Sequence, residues 1–123
     1  MVKKIDDLEV YNEANELADK IWDIVSNWDF FAKDTIGKQI VKSADSIAAN
    51  ISEGYGRFFY KENLQFCYYG RGSLFETKTW IEKSYKRKLI PDDNYEELVK
   101  RICSVQGKLN GYIKFLRNTN PGK

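Results

Sequence analysis

Apolar residues recur every three or four positions along most of the chain, which is the pattern of amphipathic helices. The first stripe falls within residues 8–28 and comprises Ala14, Leu17, Ala18, Ile21, Ile24, Val25 and Trp28. The second falls within residues 35–53 and comprises Ile36, Ile40, Ala44, Ile47 and Ile51. Similar stripes occupy residues 61–88 and 93–118. Because helical side chains three and four apart share a face, the pattern predicts four helices with about these bounds.

The stretch Ser46–Arg57, with the sequence SIAANISEGYGR, joins the second and third stripes. The apolar stripe stops at Gly54 and Gly56, and a new helical pattern begins a few residues later. Glycine readily adopts the left-handed conformation that ends a helix. A helix–turn–helix corner is therefore predicted here.

The other connections also carry recognisable signals. Residues 29–34 interrupt the pattern and are predicted to form a loop, with Asp34 or Thr35 as the N-cap of the second helix. The adjacent Phe30 and Phe31 are expected to cover the end of the core. Pro91 is expected to end the third helix. Asp93 and Glu96 have the spacing of a capping box at the start of the fourth helix.

Four helices joined by short loops predict an all-α, antiparallel up-down-up-down bundle that forms a single domain over residues 1–123. Counting outward from the turns places Asn50 level with Leu64, and Glu76 level with Lys38. The same counting brings two pairs of glycines on the third and fourth helices to one height, and these helices are predicted to approach most closely at Gly70, Gly72, Gly107 and Gly111.

Composition limits the function classes. Aromatic residues make up 15% of the chain, which predicts an aromatic-rich core or, alternatively, rings that face a partner. Cys67 and Cys103 lie among apolar neighbours and are expected to be buried reduced thiols. The chain contains no histidine, the commonest general base and metal ligand. We therefore expect no enzymatic activity, no catalytic residue, no cofactor and no bound metal.

No charged-then-apolar leader and no run of about 18 apolar residues is evident, which predicts a cytoplasmic protein without membrane association. Charge is unevenly distributed despite a net charge of +2. Residues 1–34 carry four basic and nine acidic side chains, whereas residues 61–90 carry seven basic and three acidic ones. An acidic first helix could therefore meet the basic third or fourth helix of another subunit in a head-to-tail interface.

Basic residues supply the nucleic-acid signal in the sequence. Phosphate binding requires such charges to share one surface. The candidate nucleic-acid-binding residues are Arg57, Lys83, Lys86, Arg87, Lys88, Lys100, Arg101 and Lys108.

Two motifs on the second and third helices point to a family. They read Asn50-Ile51-Ser52-Glu53-Gly54, preceded by Ser46, and Gly72-Ser73-Leu74 followed by Glu76. With these motifs the chain resembles the four helix bundle protein family, encoded in intervening sequences of bacterial ribosomal RNA genes. The resemblance implies a bundle that often assembles as a ring of five. It extends to the accessory variability determinant of diversity-generating retroelements, a basic pentameric barrel that binds its reverse transcriptase and nucleic acid.

Structural roles are expected for the motif residues. Glu53 is predicted to order the corner with Arg57 or Lys61, and Glu76 to pair with Lys38 or Lys42. Ser46 and Asn50 are expected to hydrogen-bond across the bundle, because buried polar groups need partners.

The sequence therefore favours a non-enzymatic, homo-oligomeric helical bundle that acts as an assembly or protein-interaction module. The alternative is an RNA- or DNA-binding accessory protein that uses basic patches on a ring. A reverse transcriptase or another protein is the expected partner in the first case, and structured nucleic acid in the second.

Overall fold

The computed structural model describes residues 4–119 and contains four long helices. After a 3-10 turn at Ile5–Asp7, these are α1 (Glu9–Val25), α2 (Lys38–Tyr55), α3 (Tyr60–Lys86) and α4 (Asp92–Thr119). A helical turn at Phe30–Ala32 and a π-helical turn at Lys33–Gly37 lead into α2. No strand occurs in the described part of the chain, so the all-α prediction is confirmed. The ends of the predicted 1–123 domain, residues 1–3 and 120–123, lie outside the described residues.

The four helices surround an aliphatic core. Each helix contacts two neighbours, since α2 packs on α1 and α3, and α4 packs on the same two helices. The predicted apolar stripes of α1 and α2 are buried, and full burial of one aliphatic side chain contributes about 1.5–3 kcal/mol. The largest fully buried side chains include Leu17, Ile21, Ile40, Ile47, Ile51, Leu74, Ile81, Leu98 and Leu109.

Few aromatic residues are fully buried, contrary to the predicted aromatic-rich interior, although several pack against the edge of the core, namely Tyr11, Tyr68, Trp80, Tyr95 and Tyr112. Trp28 is the one aromatic residue of the described chain that is buried. Isoleucine, leucine, valine and alanine at helical spacing already fill the interior, which leaves the rings on the flanks and at the ends.

The connection between α1 and α2 differs from the prediction. Helix α1 ends at Val25, and Trp28 follows it as a buried loop residue whose indole N–H donates to the carbonyl of Leu89 at 2.9 Å. The N-cap is Asp29, whose carboxylate accepts a hydrogen bond from the backbone N–H of Ala32 at 2.9 Å. The predicted caps Asp34 and Thr35 therefore lie inside the helical segment.

Close backbone contact occurs between α2 and α3 rather than between α3 and α4. A methyl group placed on Gly70 would lie 3.4 Å from the carbonyl oxygen of Ile47 and 3.6 Å from Cβ of Asn50. Asn50 thus lies level with Gly70, not with Leu64. A methyl group placed on Gly72, Gly107 or Gly111 would have no other atom within 4 Å. The predicted close approach of α3 and α4 at these glycines is therefore wrong.

The start of α4 and the cysteines also depart in part from expectation. Helix α4 begins at Asp92, so Asp93 lies in its first turn, where its carboxylate accepts a hydrogen bond from the N–H of Asn94 at 2.9 Å. Cys67 is buried as predicted, and burial raises its pKa to about 12. Cys103 is exposed, because it lies off the apolar stripe of α4.

Candidate interaction surfaces

An ionic seam joins α1 to α4 within the chain. Its contacts run from Lys108 with Glu9 (2.7 Å) and Glu13 (3.4 Å), through Arg101 with Glu16 (3.8 Å), to Lys20 with Glu97 (3.3 Å). The hydroxyl of Ser104 also donates to Glu13. Three of the five acids of α1, Glu9, Glu13 and Glu16, are therefore engaged with Arg101 and Lys108, two of the predicted nucleic-acid residues.

Hydrogen bonds across this seam change the protonation equilibria of its members. The hydrogen bond from Lys108 lowers the pKa of Glu9, and the same contact raises the pKa of Lys108. Hydrogen bonds from Arg101 and Lys20 lower the pKa of Glu97. Every one of these shifts favours the charged forms, so the seam is an ion-paired structure at neutral pH.

Arg57 is occupied at the α2–α3 corner. Its guanidinium contacts Glu53 at 3.0 Å and Glu62 at 4.0 Å, and it lies 4.7 Å above the ring centroid of Phe66. The predicted ion pair between Glu53 and Arg57 is therefore present. A methyl group on Gly54 would lie 2.7 Å from Oδ1 of Asn63, so only glycine fits where α2 meets α3.

The turn between α3 and α4 carries the remaining basic cluster. Lys83, Lys86, Arg87 and Lys88 lie at this turn, and none of them makes an ion pair with another residue of the described chain. Lys88 has a φ of 64°, and the N–H of Leu89 behind it donates to the carbonyl of Ser84 at 2.9 Å. This is a Schellman-type helix end with lysine where glycine is usual.

Acidic side chains accompany this basic turn. Residues 82–96 contain four basic and four acidic side chains, the acidic ones being Glu82, Asp92, Asp93 and Glu96. The hydroxyl of Tyr85 donates to Asp92 at 2.7 Å and that of Tyr95 to Glu82 at 2.7 Å, while the two rings stack with centroids 3.9 Å apart. These hydrogen bonds raise the pKa of both tyrosines. The cluster is therefore not a purely positive surface.

The candidate basic residues occupy four places instead of one. Arg57 lies at the α2–α3 corner, Arg101 and Lys108 in the seam, and the Lys83–Lys88 cluster at the opposite turn. Lys100 is exposed on α4 and makes no ion pair within residues 4–119.

The remaining motif residues have local roles. Ser46 donates to the carbonyl of Lys42 and Asn50 to the carbonyl of Ser46, both at 2.8 Å within α2, so the predicted hydrogen bonds across the bundle are absent from the described contacts. Glu76 accepts from the indole of Trp80 at 3.1 Å and does not pair with Lys38, which contacts Asp34. Gly72 is open to its surroundings.

Sequence reasoning missed a buried polar link that supports the α2–α3 contact. The hydroxyl of Thr77 donates to Ser43 at 2.9 Å or to the carbonyl of Ser73 at 2.8 Å. Thr77 and Ser43 are both buried. The positions of Thr77 and Ser43 in the sequence do not predict this hydrogen bond, because it depends on how α2 and α3 are placed relative to each other.

A polar groove of about 860 Å³ lies between α1 and α2. Partial burial, with a smaller contribution from Asp19, raises the pKa of Asp45 on its wall. Arg57 reaches the groove but is held by Glu53. The groove thus offers open polar surface and no enclosed site.

Exposed aromatic residues are the main surface feature that the candidate residues chosen from the sequence did not include. At the α2–α3 corner, Phe58 is 87% and Phe59 62% exposed, and their rings pack edge to face with centroids 4.8 Å apart. Phe30 and Phe31, predicted to cover the core, are 78% and 77% exposed instead. Adjacent phenylalanines in a connection are the signal that could have found these surfaces, because consecutive rings cannot both reach one core.

Comparisons with known proteins agree with this fold. No curated protein matches the chain. A crystal structure at 1.70 Å of a protein of unknown function from the S23 ribosomal protein family of Bacteroides thetaiotaomicron superimposes with a TM-score of 0.76. The match covers 85% of this chain and 98% of that one at 23% sequence identity, which establishes similarity of fold.

No helix in residues 4–119 is long and apolar enough to cross a membrane. The family profile described as 23S rRNA-intervening sequence protein matches residues 6–111, which include both motifs and the corner at Gly54. The resemblance drawn from those motifs is thereby confirmed, and the chain belongs to the 23S rRNA-intervening sequence protein family.

Proposed function

We propose that this chain is a non-enzymatic protein-interaction module that assembles with copies of itself. The observation that carries the proposal is the placement of the aromatic residues outside an aliphatic core. Aromatic side chains are enriched at protein–protein interfaces, and an apolar patch rimmed by polar residues typically marks an interaction site. Covering the corner formed by Phe58 and Phe59 would stabilise an assembly by about 1.5–3 kcal/mol for each ring fully buried.

The proposed subunit is an antiparallel up-down-up-down bundle. Its order is supported by the seam, in which Glu9 meets Lys108 whereas Lys20, farther along α1, meets the earlier residue Glu97 of α4. A ring of five is the assembly that we propose, closed by contact between two different surfaces. The exposed corner supplies one surface, and the exposed rings of α3 and α4, Tyr69, Phe75 and Phe115, supply candidates for the other.

The charge-based interface between subunits expected from the sequence is not part of this proposal, because the seam within one chain uses three of the five acids of α1. Light scattering coupled to size exclusion tests the aromatic alternative. We expect the Phe58→Ser/Phe59→Ser variant to lose the higher mass of the unaltered chain. Phe31→Ser, an equally exposed ring at the other end of α2, serves as the matched control and should retain it. Equal masses for the two variants would contradict the proposal.

Nucleic-acid binding remains the second candidate, favoured by the unpaired cations Lys83, Lys86, Arg87, Lys88 and Lys100. In a ring, even a modest patch would be repeated and gain avidity. Binding to structured RNA should weaken steeply with salt and with Lys83→Glu/Lys86→Glu, but not with Lys61→Glu/Lys114→Glu at other exposed positions. A gel shift that is insensitive to both pairs would exclude this use of the basic turn.

A further inference from the structure

A second apolar surface lies at the other end of α2 from the Phe58–Phe59 corner. It is a groove of about 420 Å³ between the last turn of α1 and the first turns of α2. Trp22, Val25, Gly37 and Val41 line it, and Trp22 is 60% exposed. Ser26 and three lysines complete the lining, namely Lys33, Lys38 and Lys42. We call this the Trp22 groove.

The local backbone shapes this groove. The π-helical turn Lys33–Gly37 forms one wall, and single π turns inside helices occur frequently at functional sites. A methyl group on Gly37 would lie 3.0 Å from Cγ1 of Val25 and 3.0 Å from the carbonyl oxygen of Ala32. Glycine therefore permits α1 and the π turn to come together at the base of the groove.

Charge around the Trp22 groove selects the kind of occupant. Lys38 is paired with Asp34 at 2.7 Å, whereas Lys33 and Lys42 make no ion pair within the described residues. An apolar floor with free lysines at its rim matches an amphipathic helix whose apolar face is flanked by carboxylates. We propose that the Trp22 groove binds such an acidic amphipathic helix from a different protein.

Other occupants fit less well. A second copy of this chain would have to present an acidic apolar face, but three of the five acids of its α1, Glu9, Glu13 and Glu16, are held in the seam. Its Phe58–Phe59 corner lies beside Arg57 and Lys61. Nucleic acid would place phosphates over an apolar floor that offers few free cations. The proposal thus goes beyond self-assembly and uses a different surface.

A displayed peptide library tests the proposal on the full chain. The probe is a helical library of about 14 residues, four turns, with apolar residues at positions i, i+3, i+4 and i+7 and with Glu, Gln or Lys randomised at the flanks. We expect selection of Glu at the flanks. Binding of the selected peptides should weaken by about tenfold or more with Lys33→Glu/Lys42→Glu and with Trp22→Ala.

The Phe58→Ser/Phe59→Ser variant is the matched control and should bind the selected peptides as the unaltered chain does, which separates this proposal from the assembly proposal. Circular dichroism establishes that each variant is folded. Failure to enrich any peptide, enrichment of Lys at the flanks, or binding that ignores the groove substitutions would overturn the inference. Loss of self-assembly in Trp22→Ala would also overturn it, since the groove would then be an interface between copies.

Discussion

Lys108 of α4 donates a hydrogen bond of 2.7 Å to the carboxylate of Glu9 in α1 of the same chain. This contact belongs to the ionic seam and changes the meaning of the charge distribution. The acidic first helix is partly compensated within the chain, because Arg101 and Lys108 of α4 contact three of its five acids.

The seam predicts how thermal stability depends on pH. The pKa of Glu9 and that of Glu97 are lowered from 4.5, so their contribution is present above that value and is lost as the pH falls through the lower folded-state pKa. The pKa of Lys108 is raised from 10.5, so its contribution is present below that value and is lost as the pH rises through the higher folded-state pKa. We expect Lys108→Met to lower the Tm at pH 7 and to have a smaller effect at pH 3.

Added salt should also reduce the difference in Tm between the unaltered chain and Lys108→Met, because salt screens exposed ion pairs. Lys114→Met removes an exposed lysine of α4 that makes no ion pair in residues 4–119 and should show neither dependence. Parallel behaviour of the two variants from pH 3 to pH 7 would argue against a stabilising seam.

Substitution of Gly54 tests the contact between α2 and α3. A methyl group there would lie 2.9 Å from the carbonyl oxygen of Asn63, a backbone atom that cannot move aside without moving the helix. We expect Gly54→Ala to lower the free energy of unfolding by about 1–3 kcal/mol, as overpacked sites do. Urea denaturation measures this change.

Gly107→Ala is the matched control for Gly54→Ala. A methyl group placed on this α4 glycine would have no neighbour within 4 Å, so alanine should stabilise the helix by up to about 1 kcal/mol. Destabilisation of similar size at both positions would show that contact with Asn63 is not the cause.

The helices and their buried stripes could be predicted because apolar spacing reports directly which face is covered. The relative height of neighbouring helices could not be predicted in the same way. Asn50, for example, lies beside Gly70 and not beside Leu64. The turn itself lies where the counting placed it, since α2 ends at Tyr55 and α3 begins at Tyr60. The six-residue difference between Leu64 and Gly70 therefore reflects how the two helices are displaced along their axes, which apolar spacing does not report.

The candidate site depended on these heights and was therefore predicted less well. The local contact of Glu53 with Arg57 was foreseen, because residues four apart on one helix are neighbours. The pairing of Lys108 with Glu9 joins two helices that are distant in sequence, so it could not be predicted from spacing along one helix. Composition gave the number of rings but not their direction, so the exposure of Phe58 and Trp22 emerged only from the fold.

The left-handed residue at the end of α3 provides a stability test. The φ of Lys88 is 64°, a conformation that costs a non-glycine residue about 1–2 kcal/mol. Glycine relieves this strain, but it also makes the unfolded chain more flexible, which offsets part of the gain. We therefore expect Lys88→Gly to raise the free energy of unfolding by up to about 1 kcal/mol.

Lys86→Gly removes the same side-chain charge at the last residue of α3 and serves as the control for Lys88→Gly. It should lower stability, since glycine is a poor helix former. Equal changes in the two variants, measured by urea denaturation, would show that charge removal and not backbone strain determines the result.

Ser84 is fully buried on α3, and its hydroxyl has no hydrogen-bond partner among the described residues. Removing an unpartnered buried hydroxyl relieves a desolvation cost, so Ser84→Ala should leave stability unchanged or raise it by about 1 kcal/mol. Thermal denaturation measures the effect. A marked loss of stability would mean that this hydroxyl has a partner in solution.

Sedimentation velocity of the unaltered chain tests the central claim, which is that its exposed aromatic rings join copies of the bundle. The chain has a mass of 14.4 kDa. We expect a single species that persists at high salt and has a multiple of that mass, fivefold for the proposed ring. A species of 14.4 kDa at every concentration and salt level would show that the exposed rings do not join copies of the chain.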